Sequence, residues 1–256
     1  MITVEICLED IESAIAAQQG GANRIELCDN LTVGGTTPSI GLISQIRKQL
    51  EIELQVIIRP RGGNFCYSDI EFNVMKEDIE AAKSVGVDGI VTGILNTDGT
   101  IDTSRTNSLV QIANPIPVTF HRAFDHTKDP FDSLELLVDI GVSRILSSGK
   151  APSAIEGLSL LKQLQEKAKN RISIMAGGGI NHENVQLIIN QTQIQEIHAG
   201  SSCTQPDYTK TYFQSSDVII DHKNKNNAYQ QVSAVLVSQL VAATGQTKNF
   251  LKYRCL

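Results

Sequence analysis

The chain has 256 residues, 41% hydrophobic and 20% charged, an ordinary composition for a soluble globular protein. A formal net charge of -6, no tryptophan and only 5% aromatic residues argue against a general partner among nucleic acids or anionic membranes. No apolar stretch approaches the length needed to span a bilayer, and MITVEICLED lacks the basic and apolar regions of a signal peptide. The five cysteines (Cys7, Cys28, Cys66, Cys203 and Cys255) are odd in number and form no CxxC pair, which disfavours a disulfide framework or a structural zinc site. The expectation is a reduced, cytoplasmic protein.

Taken in chain order, the sequence repeats one phrase. A helix-like stretch stops at glycine, and a short apolar strand follows, as in GGANRIELC, VGVDGIVTGIL and IGVSRILSSG. This predicts strands near 3–8, 24–28, 54–60, 89–95, 117–123, 144–148, 172–177 and 195–200. Between and after them it predicts helices at 10–20, 39–50, 69–85, 103–113, 130–140, 153–169, 181–190 and 228–243. SDIEFNVMKEDIEAAKSVG opens on a Ser/Asp cap, and DPFDSLELLVDIG puts Pro130 in its first turn and Gly141 beyond its last. Strict strand–helix alternation requires a parallel sheet, and eight such units in this length fit a single-domain (β/α)8 barrel of the TIM type over 1–256. GGGIN after the seventh strand is not a GxGxxG after the first, so a doubly wound dinucleotide fold fits less well. The stretch DHKNKNNAY reads as a solvated loop before the last helix.

Chemistry in such barrels sits at the carboxyl ends of the strands, so the residues of interest are polar ones there on the inward face. Strand one places Glu5 with Cys7, and strand two places Glu26 with Cys28. IIRPRGGNFCYSD ends strand three with Arg59 and Arg61, expected to aim into the mouth with Glu5 or Glu26 between them. VTFHRAFD supplies His121 as an acid, base or metal ligand, with Arg122 and Asp125 beside it. Strand six ends in Ser147, and strand eight carries Glu196 and His198. Gly177, Gly178 and Gly179 of MAGGGIN have the place in which this fold often binds phosphate. Cys7 and Cys28 end neighbouring strands, where two soft sulfurs suit Cu(I) in near-linear geometry, or else serve as small buried hydrophobes in separate layers.

Five of these segments, RIELCDNLTVGGTTPS, IIRPRGGNFCYSD, VTFHRAFD, RILSSG and IMAGGGI, occur in the order and spacing of the CutC copper-homeostasis family, and the chain resembles that family over roughly residues 2–203. The resemblance implies a TIM-type barrel, a cytoplasmic location, a homodimer or larger homo-oligomer, and a role in copper handling with Cys7 and Cys28 carrying Cu(I). Two functions from different classes are therefore expected. One is Cu(I) binding through the cysteines. The alternative is an enzyme acting on a small anionic or phosphorylated substrate. In that reading Arg59, Arg61, Arg122, Ser147, His198 and the glycines bind the anion. His121, Glu5, Glu26 and Asp125 serve proton transfer.

Overall fold

A computed structural model describes residues 2–207 and 229–245. Eight parallel strands close into a barrel in chain order: β1 (Thr3–Leu8), β2 (Arg24–Leu27), β3 (Glu53–Ile57), β4 (Gly89–Thr92), β5 (Val118–Phe120), β6 (Arg144–Ser147), β7 (Ser173–Ala176) and β8 (Glu196–Ala199). The crossovers carry α1 (Ile11–Gly20), α2 (Ile40–Gln49), α3 (Asp69–Val85), α4 (Thr103–Ala113), α5 (Pro130–Ile140), α6 (Leu158–Ala168) and α7 (Val185–Thr192), and α8 (Ala234–Ala243) packs on α1. This is the (β/α)8 barrel expected from the alternation.

The caps explain why the helices begin and end where they do. Ser68 and Glu71 form a reciprocal capping box on α3, and Gly86 ends that helix in the left-handed conformation. Asp129 caps α5 ahead of Pro130, and Gly141 closes it. Strands β3, β4 and β5 each end three residues short of expectation, and three helices begin four or more residues late. α6 begins at Leu158 instead of 153, because Gly149 and Gly157 bring two backbones together. A Cβ on Gly157 would lie 1.9 Å from the Ser148 carbonyl oxygen, so the chain turns there before it can wind. α7 begins at Val185 instead of 181, because the Asn181 side chain accepts the amides of Glu183 and Asn184 in a local turn. The last helix begins at Ala234, and the residues before it form a strand, β10 (Tyr229–Val232), antiparallel to β9 (Thr204–Asp207). The expected solvated loop, apart from Tyr229, and Cys255 lie outside the described residues.

Aliphatic residues of the outward parity, such as Val4, Ile6, Ile25, Leu27, Leu54 and Ile197, are fully buried between strands and helices. The inward parity is different. Charged residues fill the barrel's lower half. Above them a separate small apolar cluster joins Cys7, Cys28, Ile57 and Val91. Register sets these heights: Glu5 lies beside Arg24, and Cys7 beside Glu26.

Candidate functional site at the barrel mouth

The floor of the barrel is a closed ion network. Arg24 Nε donates to Glu5 at 2.5 Å, and its Nη2 donates to Glu196 at 2.6 Å. Arg144 donates to the same Glu196 oxygen at 2.5 Å and to the Thr119 hydroxyl at 2.9 Å. Burial works to raise the Glu5 carboxyl, but Arg24 and His198 outweigh it and lower its pKa to about 2. Each buried charge here has an opposite partner, which is the condition for burying it at all.

Over that floor sit the two thiols. Cys7 and Cys28 Sγ are 3.6 Å apart, with Cys7 8% and Cys28 1% exposed. Cys28 follows the last residue of β2, and its amide donates to the Leu8 carbonyl at 2.9 Å, which brings the two cysteines level despite the stagger of the strands. The hydrogen bond from Cys28 lowers the Cys7 thiol to about 5 against the effect of burial, with help from His198. Cys28, as donor in that bond, is pushed well up, and burial adds to the rise.

His198 ties the thiols to the floor. Its Nδ1 lies 2.7 Å from Glu5 Oε1, and its Nε2 lies 3.7 Å from Glu26 Oε2. Burial opposes its charge, but contacts with Cys7, Glu5 and Glu26 raise its pKa well above the usual value. Burial and the Cys7 thiolate push the Glu26 carboxyl well above the usual carboxylate range. Cys7, Glu26 and His198 bring their donor atoms within 4.8 Å of one another, a set able to hold a metal ion. At a metal–sulfur distance of about 2.3 Å, sulfurs 3.6 Å apart subtend roughly 100° at a shared ion. The near-linear pair expected from the sequence is thus not the geometry present. As placed, the sulfurs suit an ion with a third ligand, which His198 or Glu26 can supply.

The two arginines of IIRPRGGNFCYSD part company. Arg59 is buried at 3% exposure, and its Nη groups donate to the carbonyls of Val33, Gly35 and Gly63, with the guanidinium 5.1 Å from the Phe65 ring centre. Arg61 was expected in the mouth. It turns instead to Glu71 at 2.5 Å, braces the capping box of α3 and stacks on Tyr67. Neither Glu5 nor Glu26 lies between them, because both are engaged with His198 and the floor.

His121 follows β5 and caps a short turn at Arg122–His126; its Nδ1 accepts the Ala123 amide at 3.2 Å. A Cβ on Gly93 would lie 2.6 Å from the ring, so glycine there is what admits the imidazole. Burial, with the nearby Arg59 charge, lowers its pKa to about 3, and the ring is neutral. Asp125 was expected as a free acid or base. It accepts instead from Ser147, Ser148, Lys150 and Arg122, and so ties the end of β6 to the turn after β5.

A cavity of about 730 Å³ opens at the carboxyl ends of the strands. Cys7, Glu26, Cys28, His198, Arg59, His121, Arg122, Gly178 and Gly179 line it. Glu5 lies beneath it, while Arg61, Asp125, Ser147 and Gly177 do not line it. The residues missed from sequence are Arg24 and Arg144, which complete the floor. Arg24 shares the parity of Glu26 and Cys28, a signal that was present in RIELC.

A sequence profile described as "CutC family" matches residues 2–203. A human protein named "Copper homeostasis protein cutC homolog" is 48% identical over 215 residues, covering 84% of this chain and 78% of its own length. A Chromobacterium violaceum protein of the CutC family is 48% identical over 198 residues, covering 77% of this chain and 80% of that protein. The crystal structure of a copper homeostasis protein CutC from Streptococcus agalactiae superimposes with a TM-score of 0.75 at 41% identity, covering 78% of this chain and 98% of that one. Phosphoribosylanthranilate isomerase from Thermotoga maritima, at 13% identity and a TM-score of 0.59, shares the barrel fold alone. With the matched profile spanning most of the barrel, the chain belongs to the CutC family.

Proposed function

We propose that this protein binds Cu(I) as cargo at the barrel mouth through Cys7 and Cys28, and that this binding is its part in copper homeostasis. The observation that carries the reading is the pair of sulfurs 3.6 Å apart on the cavity wall, one of them held as a thiolate. Thiolate is the soft donor that Cu(I) prefers, and a preformed thiolate spares the ion from having to displace a proton at Cys7. His198 stabilises the thiolate, and Glu5 fixes the ring through Nδ1, as an outer carboxylate commonly does for a histidine at a metal site. The names of the relatives support copper as the cargo. A reducing, cytoplasmic location is part of this proposal, supported by four described cysteines that form no disulfide.

Competition with a chromophoric Cu(I) chelator, under anaerobic reducing conditions, tests the proposal. One equivalent of Cu(I) is expected to move to the wild-type protein. The Cys7→Ser/Cys28→Ser variant should lose at least about a hundredfold in affinity, two decades being the effect of losing both soft ligands. Undiminished uptake by a folded double variant sinks the reading.

A further inference from the structure

We propose that the same cavity contains a second, separate subsite for a small oxyanion, the carboxylate or phosphate group of a small molecule, built from the Arg59 guanidinium and the His121 Nε2–H. It goes beyond the copper reading and does not depend on it.

Arg59 carries the first half of the argument. Its guanidinium is 3% exposed, yet only neutral carbonyls and an aromatic face surround it. No carboxylate among the described residues pairs with it, and its Nε is buried without a hydrogen-bond partner. The neighbouring Tyr67 hydroxyl is raised by burial and drawn down by its contact with Arg59; as a phenol it offers the guanidinium a polar neighbour but no counter-charge. The fold does not lack acids for this purpose. Arg24 and Arg144 in the same barrel each have a carboxylate at 2.5 Å. A buried ion without a counter-ion is costly, and the usual remedy is an anion from outside the chain.

His121 carries the second half. Because Nδ1 accepts the Ala123 amide, the ring proton of the neutral imidazole resides on Nε2. That Nε2 is buried and has no partner among the described residues, although the ring lines the cavity. His121 and Arg59 also share one wall. The Phe65 ring centre is 4.9 Å from the imidazole and 5.1 Å from the guanidinium carbon. An oxygen that accepts from Nε2–H beside Arg59 answers the missing acceptor and the missing charge together. The Cys7 thiolate elsewhere in the cavity is matched by His198 and does not neutralise this wall. A cavity of about 730 Å³ has room for a metabolite bearing such a group. The alternative enzyme reading requires a subsite of this kind.

Calorimetric titration of the reduced, metal-free protein with acetate and, separately, with inorganic phosphate tests the proposal at constant chloride. At least one probe is expected to bind saturably, and which one does so identifies a carboxylate or a phosphate subsite. His121→Phe should weaken that binding roughly tenfold, the usual effect of losing one hydrogen bond to a charged group. Since Arg59 also ties two loops together, Arg59→Met supplements the His121 variant and does not replace it. In wild type the His121 Nε2 resonance should shift in step with occupancy. Cu(I) uptake and probe binding are read separately on the same wild-type preparation, and either can fail without the other, which separates failure of this proposal from failure of the copper reading. Absence of saturable binding by both probes overturns the proposal. Equal affinity in wild type and His121→Phe, with no shift at Nε2, overturns it too.

Discussion

The floor and the mouth of this barrel both bury charged side chains, and they do so in opposite ways. On the floor, Arg24, Glu5, Glu196 and Arg144 exchange hydrogen bonds until each charge has its partner. At the mouth, a thiolate faces a second thiol, and among the described residues Arg59 has no carboxylate and the His121 Nε2–H no acceptor. Burial of polar groups alone therefore does not mark a functional site, because a structural network looks the same by that measure. The state of pairing does mark it. For charged groups, counter-charges are complete on the floor and incomplete at the mouth; the contrast does not extend to every polar atom, since Gln55 Oε1 also lacks a partner away from the cavity.

The largest expected effect falls on the floor. Arg24→Leu takes one cationic partner from each of two buried carboxylates, leaving Glu5 with His198 and Glu196 with Arg144, and should cost about 3 kcal/mol of stability in urea unfolding, the lower end for a broken buried pair. A cost no larger than that of an exposed ion pair would deny the floor its structural role. Acid should act next, through Glu5. Its folded pKa, about 2, lies below the ordinary carboxyl value of 4.5, so its contribution is fully present above pH 4.5 and is lost as pH falls towards 2. That contribution is on the order of 3 kcal/mol and should be missing from the acid limb of a Glu5→Gln variant. Matching acid limbs in wild type and variant would show that the Glu5 pairing adds nothing.

At the mouth the effects are on reactivity. With the Cys7 thiol lowered to about 5, its alkylation rate should be nearly flat from pH 6 to 8. Replacing His198 by Gln should raise the Cys7 thiol only part of the way back, because the Cys28 hydrogen bond remains, so the reaction slows at pH 6.5 and begins to climb with pH. A wild-type rate that already climbs steeply over that range contradicts an ionised Cys7. The smallest effect belongs to Arg61→Ala. It should leave both Cu(I) affinity and oxyanion binding unchanged, because Arg61 braces α3 and does not line the cavity. A loss of either activity would place Arg61 back in the mouth.

The barrel was legible in the sequence because the glycine-stop and strand-start phrase recurs in several of its units and is written in local chemistry. The inward parity of Glu5, Cys7, Glu26, Cys28 and His198 was legible for the same reason, since a strand's period is local. Height and partner choice were not. They depend on the stagger between strands, which set Cys7 beside Glu26 and brought Cys28 level with Cys7. Arg24 and Arg144 escaped notice because they begin their strands, while the search ran along strand ends. Arg61 misled for a different reason. Beyond the last residue of β3 the parity rule no longer governs direction, and Glu71, one turn into α3, offered a nearer partner than any residue of the mouth.

X-ray absorption at the copper edge of the Cu(I)-loaded protein tests the central claim most directly. The expected spectrum has two sulfur scatterers and one lighter nitrogen or oxygen neighbour, with the sulfur shell lost in the Cys7→Ser/Cys28→Ser variant. A copper shell made only of nitrogen and oxygen, or a sulfur shell unchanged in that variant, contradicts a copper site at Cys7 and Cys28.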